Sequence, residues 1–360
     1  MDKSYKFSLK TKDWINEFGS TGMFNQIGKS EIHGLIPPKS VNEKYLSLYI
    51  REITQVSNPY FKCTLNDVNL FSSGNGISGT AFRTSNNIFL SDLNSYWSES
   101  LPIFDFKKVD RYVNQHSVFI GAKWGGYNYF HYLHTCLPKL SYYLQNVKFD
   151  RIIHNSTNKK FVKESLNVIG INLNNVFCLD ASPSMKCKEL TVVSPIGYGV
   201  NPNKESCKFV RDLFKSLFVM SNRRIFISRS GTNYRKLTNE EEITNYLITL
   251  GFEIINSEYL SFTDQVKLFS QSEIVISSHG AGLSNIVFCD PKTKILELQS
   301  PKYLGLCYWL VADSCDLDYY YLLGEGDYDD NPNYCWSDGQ ADFTMNMKEF
   351  KQTLELMEIL

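Results

Sequence analysis

The sequence predicts an α/β protein of two domains, each built on a parallel sheet, with a β-rich preface at the N-terminus. Three observations carry that prediction. Between about Ser117 and Pro301, short apolar runs alternate with stretches of helical periodicity, the pattern of parallel strands joined by crossover helices. Ile274-Val275-Ile276 is apolar and β-branched throughout, as suits a strand buried on both faces. The 360 residues, 43% hydrophobic and 21% charged, are enough for about two domains with cores of their own.

Taken in order, Asp13 to Phe18 forms a helical turn, and Pro37-Pro38 punctuates the segment before Tyr45. Tyr45 to Ile53, Cys63 to Phe71, Thr80 to Arg83 and Ile88 to Leu93 read as short strands separated by Asn, Ser and Gly. They make residues 1–110 an antiparallel preface. Ser117 to Ile120 is a strand of the α/β part, residues 111–202, which completes the first domain, residues 1–202. A helix is predicted from Asn128 to Asn146, where Phe130, Leu133, Leu137, Leu140 and Leu144 recur at helical steps and Pro138 introduces a kink. Strand Arg151 to His154, helix Lys159 to Ile169 and strands Val176 to Leu179 and Leu190 to Ser194 come next.

The second domain spans residues 203–340 and opens with a long helix, Asn203 to Met220. Its first strand is Arg224 to Ile227, running into Ser228-Arg229, and a loop carries Tyr234-Arg235-Lys236. Thr238 with Glu241 three residues on offers a capping box for the next helix, which Gly251 closes. Strand Phe252 to Ile255, helix Thr263 to Ser270 and the 274–276 strand lead to the turn Ser277-Ser278-His279-Gly280-Ala281-Gly282. A short helix from Leu283 to Phe288 stops at Asp290-Pro291, and strand Lys294 to Leu298 carries the carboxylate of Glu297. Residues 341–360 are predicted to form a helix packing back on the first domain.

Lys and Arg nearly balance Asp and Glu, for a formal net charge of -1, which excludes a nucleic-acid binder working by bulk charge. The nine cysteines show no C-x-x-C pair and no metal-ligand spacing with histidine, as for reduced thiols in a reducing compartment. No apolar run has the length of a signal peptide or a spanning helix. The expected location is cytoplasmic, up to and including the inner face of a membrane.

Ligands of open α/β sheets bind beyond the carboxyl ends of the strands, and two such domains imply a cleft between them. Arg229, Arg235, the Ser278–Gly282 turn and Glu297 all fall at strand ends of the second domain. Guanidinium groups bind phosphate oxygens through fork-shaped pairs of hydrogen bonds. A glycine turn before a helix offers free amides to an anion, and a carboxylate suits the paired hydroxyls of a ribose. Together they describe a nucleoside-diphosphate pocket. Each has a plainer alternative: Arg229 and Arg235 as surface ion-pair partners, Glu297 as a solvated strand end, His279 as a structural histidine. The Walker pattern is absent, and Gly74 and Gly76 do not extend to a dinucleotide fingerprint. No G-x-S-x-G elbow supports a Ser278-His279 hydrolase.

At these residues the chain resembles glycosyltransferase family 61. The first block is Asn128-Tyr129-Phe130-His131-Tyr132-Leu133 through Leu137-Pro138-Lys139-Leu140. The second is Arg224 to Arg229 with Arg235 and Asn239-Glu240-Glu241. The third is His279-Gly280-Ala281-Gly282-Leu283-Ser284-Asn285 through Phe288 to Glu297. The resemblance covers about half the chain, in the family's order; His134-Thr135-Cys136 stands where the family usually has an acidic residue. It implies a GT-B architecture, two Rossmann-like domains facing across a cleft. It also implies inverting transfer from a nucleotide sugar, usually a UDP-sugar, to a glycan or glycolipid, in surface polysaccharide assembly such as capsule or lipopolysaccharide.

On that basis Arg229, Arg235, Ser278, His279, Gly280, Ala281, Gly282, Asn285 and Glu297 are the expected donor contacts, with Asn128 and Tyr129 on the acceptor side. His131 is the expected base, because imidazole accepts a proton near neutral pH; Glu297, Asp105 and Asp110 are the alternatives. Asp316-Leu317-Asp318 has D-x-D spacing but precedes a tyrosine run, so no obligatory metal or other cofactor is expected. The competing readings are an inactive nucleotide- or glycan-binding protein of the same fold, and a nicotinamide-dependent oxidoreductase that lacks its glycine fingerprint.

Overall fold

The computed structural model describes residues 8–18, 22–41, 46–57, 59–72, 80–93, 109–122, 124–156, 158–197, 201–326 and 341–360. Gly74, Gly76 and Asp105 lie outside them. The protein is mixed α/β and forms two compact units, residues 1–31 with 57–200 and residues 32–56 with 201–360.

In the first unit, Ser184–Val193, Ser117–Phe119, Arg151–His154 and Val176–Cys178 lie side by side and parallel. Phe61–Ser72 runs antiparallel along Ser184–Val193, and Thr80–Arg83 and Gly22–Gln26 pair with Phe61–Ser72 in turn. The preface and the α/β part are therefore one continuous sheet rather than two layers of organisation. Its core gathers Trp14, Leu65, Leu70, Phe82, Phe119, Ile153 and Leu190.

The predicted helix from Asn128 to Asn146 is present but interrupted: an α-turn Tyr129–His131, a π-helical turn Tyr132–Cys136, then an α-helix Leu137–Asn146. Proline has no amide hydrogen, so Pro138 cannot join the usual i to i−4 ladder. The Leu137 amide instead reaches back to the Tyr132 carbonyl, and the chain absorbs one extra residue ahead of the proline.

The second unit holds five parallel strands in the order Glu253–Ile255, Arg223–Ile227, Ser272–Ser278, Lys294–Gln299, Asp318–Leu323. In chain order this is 2-1-3-4-5, with a topological switch between Arg223–Ile227 and Ser272–Ser278. Helix Lys204–Phe214 starts at a capping box, in which Asn203 accepts the Ser206 amide and the Ser206 hydroxyl accepts the Asn203 amide. The helix gives way to a 3-10 turn ending at Leu217, short of the predicted Met220. Thr238 and Glu241 do not form the expected box; Thr238 bonds Thr344, and helix Glu240–Thr249 is preceded by Asn239.

Three expectations about the second unit are corrected. Tyr45 to Ile53 is not a strand: Leu46–Arg51 is helical. There Tyr49 packs against Trp309 and Tyr321 at ring distances of 5.1 and 4.7 Å, a tertiary contact that outweighs local β-propensity. The segment 32–56 also belongs to the second unit. Lys39 bridges to Tyr320, and the Trp309 indole donates to the Ile36 carbonyl at 2.8 Å. Finally, helix Met347–Leu356 packs within the second unit. Phe350, Leu354 and Met357 are buried with Ile276, Leu296 and Tyr320 in the second unit's core. No helix among the described residues is long and apolar enough to cross a membrane.

Candidate functional site

In sheets of this order the ligand site lies beyond the carboxyl ends of the strands at the switch point. Arg229 follows the first of the two switch strands, and the Ser278–Gly282 turn follows the second. Glu240 pins the Arg229 loop from the adjacent helix: one carboxylate oxygen accepts the Ser228 hydroxyl, the other the Arg229 amide at 3.3 Å. Arg235 returns to the same place through a left-handed turn with φ 54°, which costs about 1–2 kcal/mol for a non-glycine residue. The two guanidinium groups lie over the one Tyr234 ring, 5.9 and 5.2 Å from its centroid, and Arg235 also lies 4.6 Å from that of Tyr303.

Neither arginine forms an ion pair with a carboxylate among the described residues, and the Nε atom of each is buried without a hydrogen-bond partner. Burial first, and the charge of Arg235 second, hold the Arg229 guanidinium below its usual value. Two cations brought together in a partly desolvated place, with the Nε donor of each idle, suit an anion. Gly280 is where the turn meets them: a Cβ there would overlap the Arg229 guanidinium. The buried Ser278 hydroxyl adds a further donor without a partner among the described residues. The short helix expected from Leu283 to Phe288 is a 3-10 helix, Ala281–Phe288.

His279 sits behind this turn with its ring 5.2 Å from Tyr303 and 5.1 Å from Tyr308. Its Nδ1 bonds Glu297 Oε1, and Tyr319 donates its hydroxyl to Glu297 Oε2. A carboxylate only accepts, so Nδ1 carries the hydrogen. Glu297 is 0% exposed and accepts one hydrogen bond on each oxygen, from His279 and Tyr319; it is not a solvated strand end, and it orients His279. Behind it, the Gln299 amide donates to the Tyr49 and Tyr319 hydroxyls at 3.2 and 3.4 Å. Asn285 braces the turn: it is fully buried, with its amide on Gln265 Oε1 and the Gly282 carbonyl. Sequence reasoning missed Tyr303, Tyr308, Tyr319 and Tyr49. The first two were findable, since they closely follow the strand end that carries Glu297.

In the first unit, Asn128 caps the turn that holds His131, accepting the Phe130 and His131 amides at 2.9 and 3.4 Å. Tyr129 meets Phe161 edge-on at 5.2 Å. His131 is half-buried, 5.1 Å from the Trp124 ring, and Trp124 has a left-handed backbone, φ 60°. Asp110 bonds the Ser184 amide. The D-x-D aspartates do not converge on a shared ligand: Asp316 pairs with Lys204 at 3.3 Å and Asp318 with Lys39 at 4.0 Å. Among the described residues no three His, Cys, Asp or Glu side chains are grouped to hold a metal.

The fold and this site define an α/β protein with two arginines and a glycine turn at the switch point of its second sheet. Comparison with known proteins narrows the class. Residues 129–296, just under half the chain, match the model for glycosyltransferase 61, a match that supports assignment to that family. It is similar to the EGF domain-specific O-linked N-acetylglucosamine transferase of Canis lupus familiaris, 35% identical over 80 residues, 21% of this chain and 15% of that protein. The corresponding Gallus gallus enzyme is 34% identical over the same length. The Beta-1,2-xylosyltransferase of Arabidopsis thaliana is 28% identical over 122 residues, 30% of this chain and 23% of that protein. The chain thus aligns with less than a quarter of each of these curated relatives.

Proposed function

We propose that this protein is an inverting glycosyltransferase that moves a sugar from a nucleotide-diphosphate sugar, a UDP-sugar, to a hydroxyl of a glycan or glycolipid acceptor. One observation carries it: two partly desolvated arginines, neither paired with a carboxylate among the described residues, meet a glycine turn at the switch point of a parallel sheet. In an inverting transfer the acceptor oxygen bonds the anomeric carbon as the bond to the diphosphate breaks. Charge then grows on the leaving diphosphate, and the acceptor's proton goes to a base. Arg229, Arg235 and the Gly280–Gly282 turn suit the growing charge, and His279, oriented by Glu297, suits a donor contact. His131 is the base in this proposal, the side-chain cations serve in place of an obligatory metal, and the two units have the GT-B class of architecture. A cytoplasmic role in capsule or lipopolysaccharide synthesis completes it.

The test is release of UDP from a panel of UDP-sugars that includes both pentoses and N-acetylhexosamines, with glycan acceptors present. Acceptor-dependent release with one donor supports the proposal. Tight UDP binding without release across the panel would replace it with a nucleotide-binding protein of the same fold.

A further inference from the structure

Lys139 is a buried amine that the chemistry above does not use. It lies three residues past the π-helical turn and is 5% exposed, with its Nζ donating to the Gly121 carbonyl at 2.9 Å. Among the described residues no carboxylate pairs with it; burial pulls its ammonium down to about 8. A buried ammonium is a poor device for stability, since an apolar side chain of the same length avoids its desolvation. What it provides is a fixed point. From Gly121 a short relay of backbone bonds runs forward: Gly125 N–H to the Ala122 carbonyl at 3.0 Å, then Tyr127 and Asn128 N–H to the Trp124 carbonyl at 3.0 and 2.8 Å. Asn128 in turn caps the His131 amide. The same turn is pressed onto the π-helical turn, because a Cβ on Gly125 would overlap the Cys136 sulfur. Within it Trp124 takes a left-handed conformation and sets its ring beside His131.

We propose that Lys139 is a positioning residue: by holding the Gly121 carbonyl it fixes the turn that seats Trp124 against His131. It touches neither substrate nor the reacting atoms and acts through that turn. The proposal rests on the glycosyltransferase reading for its consequence in catalysis, but not for its structural content.

Lys139→Met keeps the length of the side chain and removes the donor. Its melting temperature is expected to equal or exceed that of the wild type. The amides of Gly125, Tyr127 and Asn128 are expected to exchange with deuterium about tenfold faster, a readout that needs no activity. Turnover is expected to fall about tenfold to a hundredfold, as for a misplaced catalytic group, with the KM for the sugar donor unchanged. Trp124→Ala is expected to cause the same loss, and the double variant no further loss, because both act through one contact. Unchanged exchange in the turn overturns the proposal whether or not the protein transfers sugar. Additive losses in the double variant, or full turnover in Trp124→Ala, overturn it as well. If faster exchange is seen but no glycosyl transfer is found in the wild type, the anchoring role stands and the glycosyltransferase reading falls.

Discussion

Replacing Arg229 with alanine separates ligand binding from stability, because the two should move in opposite directions. In the free protein its Nε is buried without a partner, its guanidinium makes a 3.3 Å contact to the Tyr234 carbonyl, and it faces the like charge of Arg235. Removing it costs the free protein little, and the melting temperature should stay level or rise. With UDP bound, a guanidinium contributes two charge-assisted bonds worth about 3 kcal/mol together, so UDP affinity should fall about a hundredfold. At a UDP concentration about 100 times the wild-type Kd, ligand stabilisation is about 2.7 kcal/mol; a hundredfold weaker Kd leaves about 0.4 kcal/mol. For a protein of this size about 1 kcal/mol corresponds to about 2–4 °C. A UDP-induced shift of about 5–10 °C should therefore shrink to about 1–2 °C, as read by thermal denaturation with and without UDP. A full shift in Arg229→Ala would refute the diphosphate role of the arginine pair.

Gly280→Ala places a methyl group where the Arg229 guanidinium lies; calorimetry should show weakened UDP binding, with no further weakening when Arg229→Ala is added. Tyr319→Phe leaves one oxygen of the fully buried Glu297 carboxylate without its donor, which should cost about 1.5–3 kcal/mol in urea denaturation; a change below about 0.5 kcal/mol would mean the network is not under load. His154 is 0% exposed, its Nδ1 donates to the Ser156 carbonyl at 2.6 Å, and burial lowers its pKa from the ordinary 6.5 to about 4. The unfolded chain therefore binds this proton before the folded one does. Its contribution is complete above pH 6.5 and is lost as the pH falls to about 4, a loss of about 3 kcal/mol. A His154→Gln variant should lack that part of the acid destabilisation, and identical pH profiles for the two proteins would contradict it.

Much of the second unit was legible in the sequence because its strands are buried on both faces and read as unbroken apolar runs. Arg229, Ser278 and the glycines were legible for a related reason: in a parallel sheet the residues just past a strand stand at the ligand end, so position along the chain predicts position in space. The same rule did not reveal the burial of Glu297. It lies at register with Ser277 near the strand end, but whether a carboxylate there meets solvent or a tyrosine depends on the next strand, and Tyr319 covers it. Tyr49 illustrates the other limit. Its local pattern reads as β, and only contact with Trp309 and Tyr321, far away along the chain, makes it part of a helix behind the site.

The sequence by itself determined the α/β class, the alternation of strands and helices, and the placing of arginine, serine and glycine at strand ends. These follow from local periodicity and from glycine, proline and arginine at strand ends, all properties of neighbouring residues. Tertiary structure alone decided the switch point, the meeting of Arg229 and Arg235 over one tyrosine, and the burial of Glu297. It also decided that residues 32–56 and the C-terminal helix join the second unit. Strand order and distant burial are settled by which apolar faces exclude water together, and no local pattern encodes that choice.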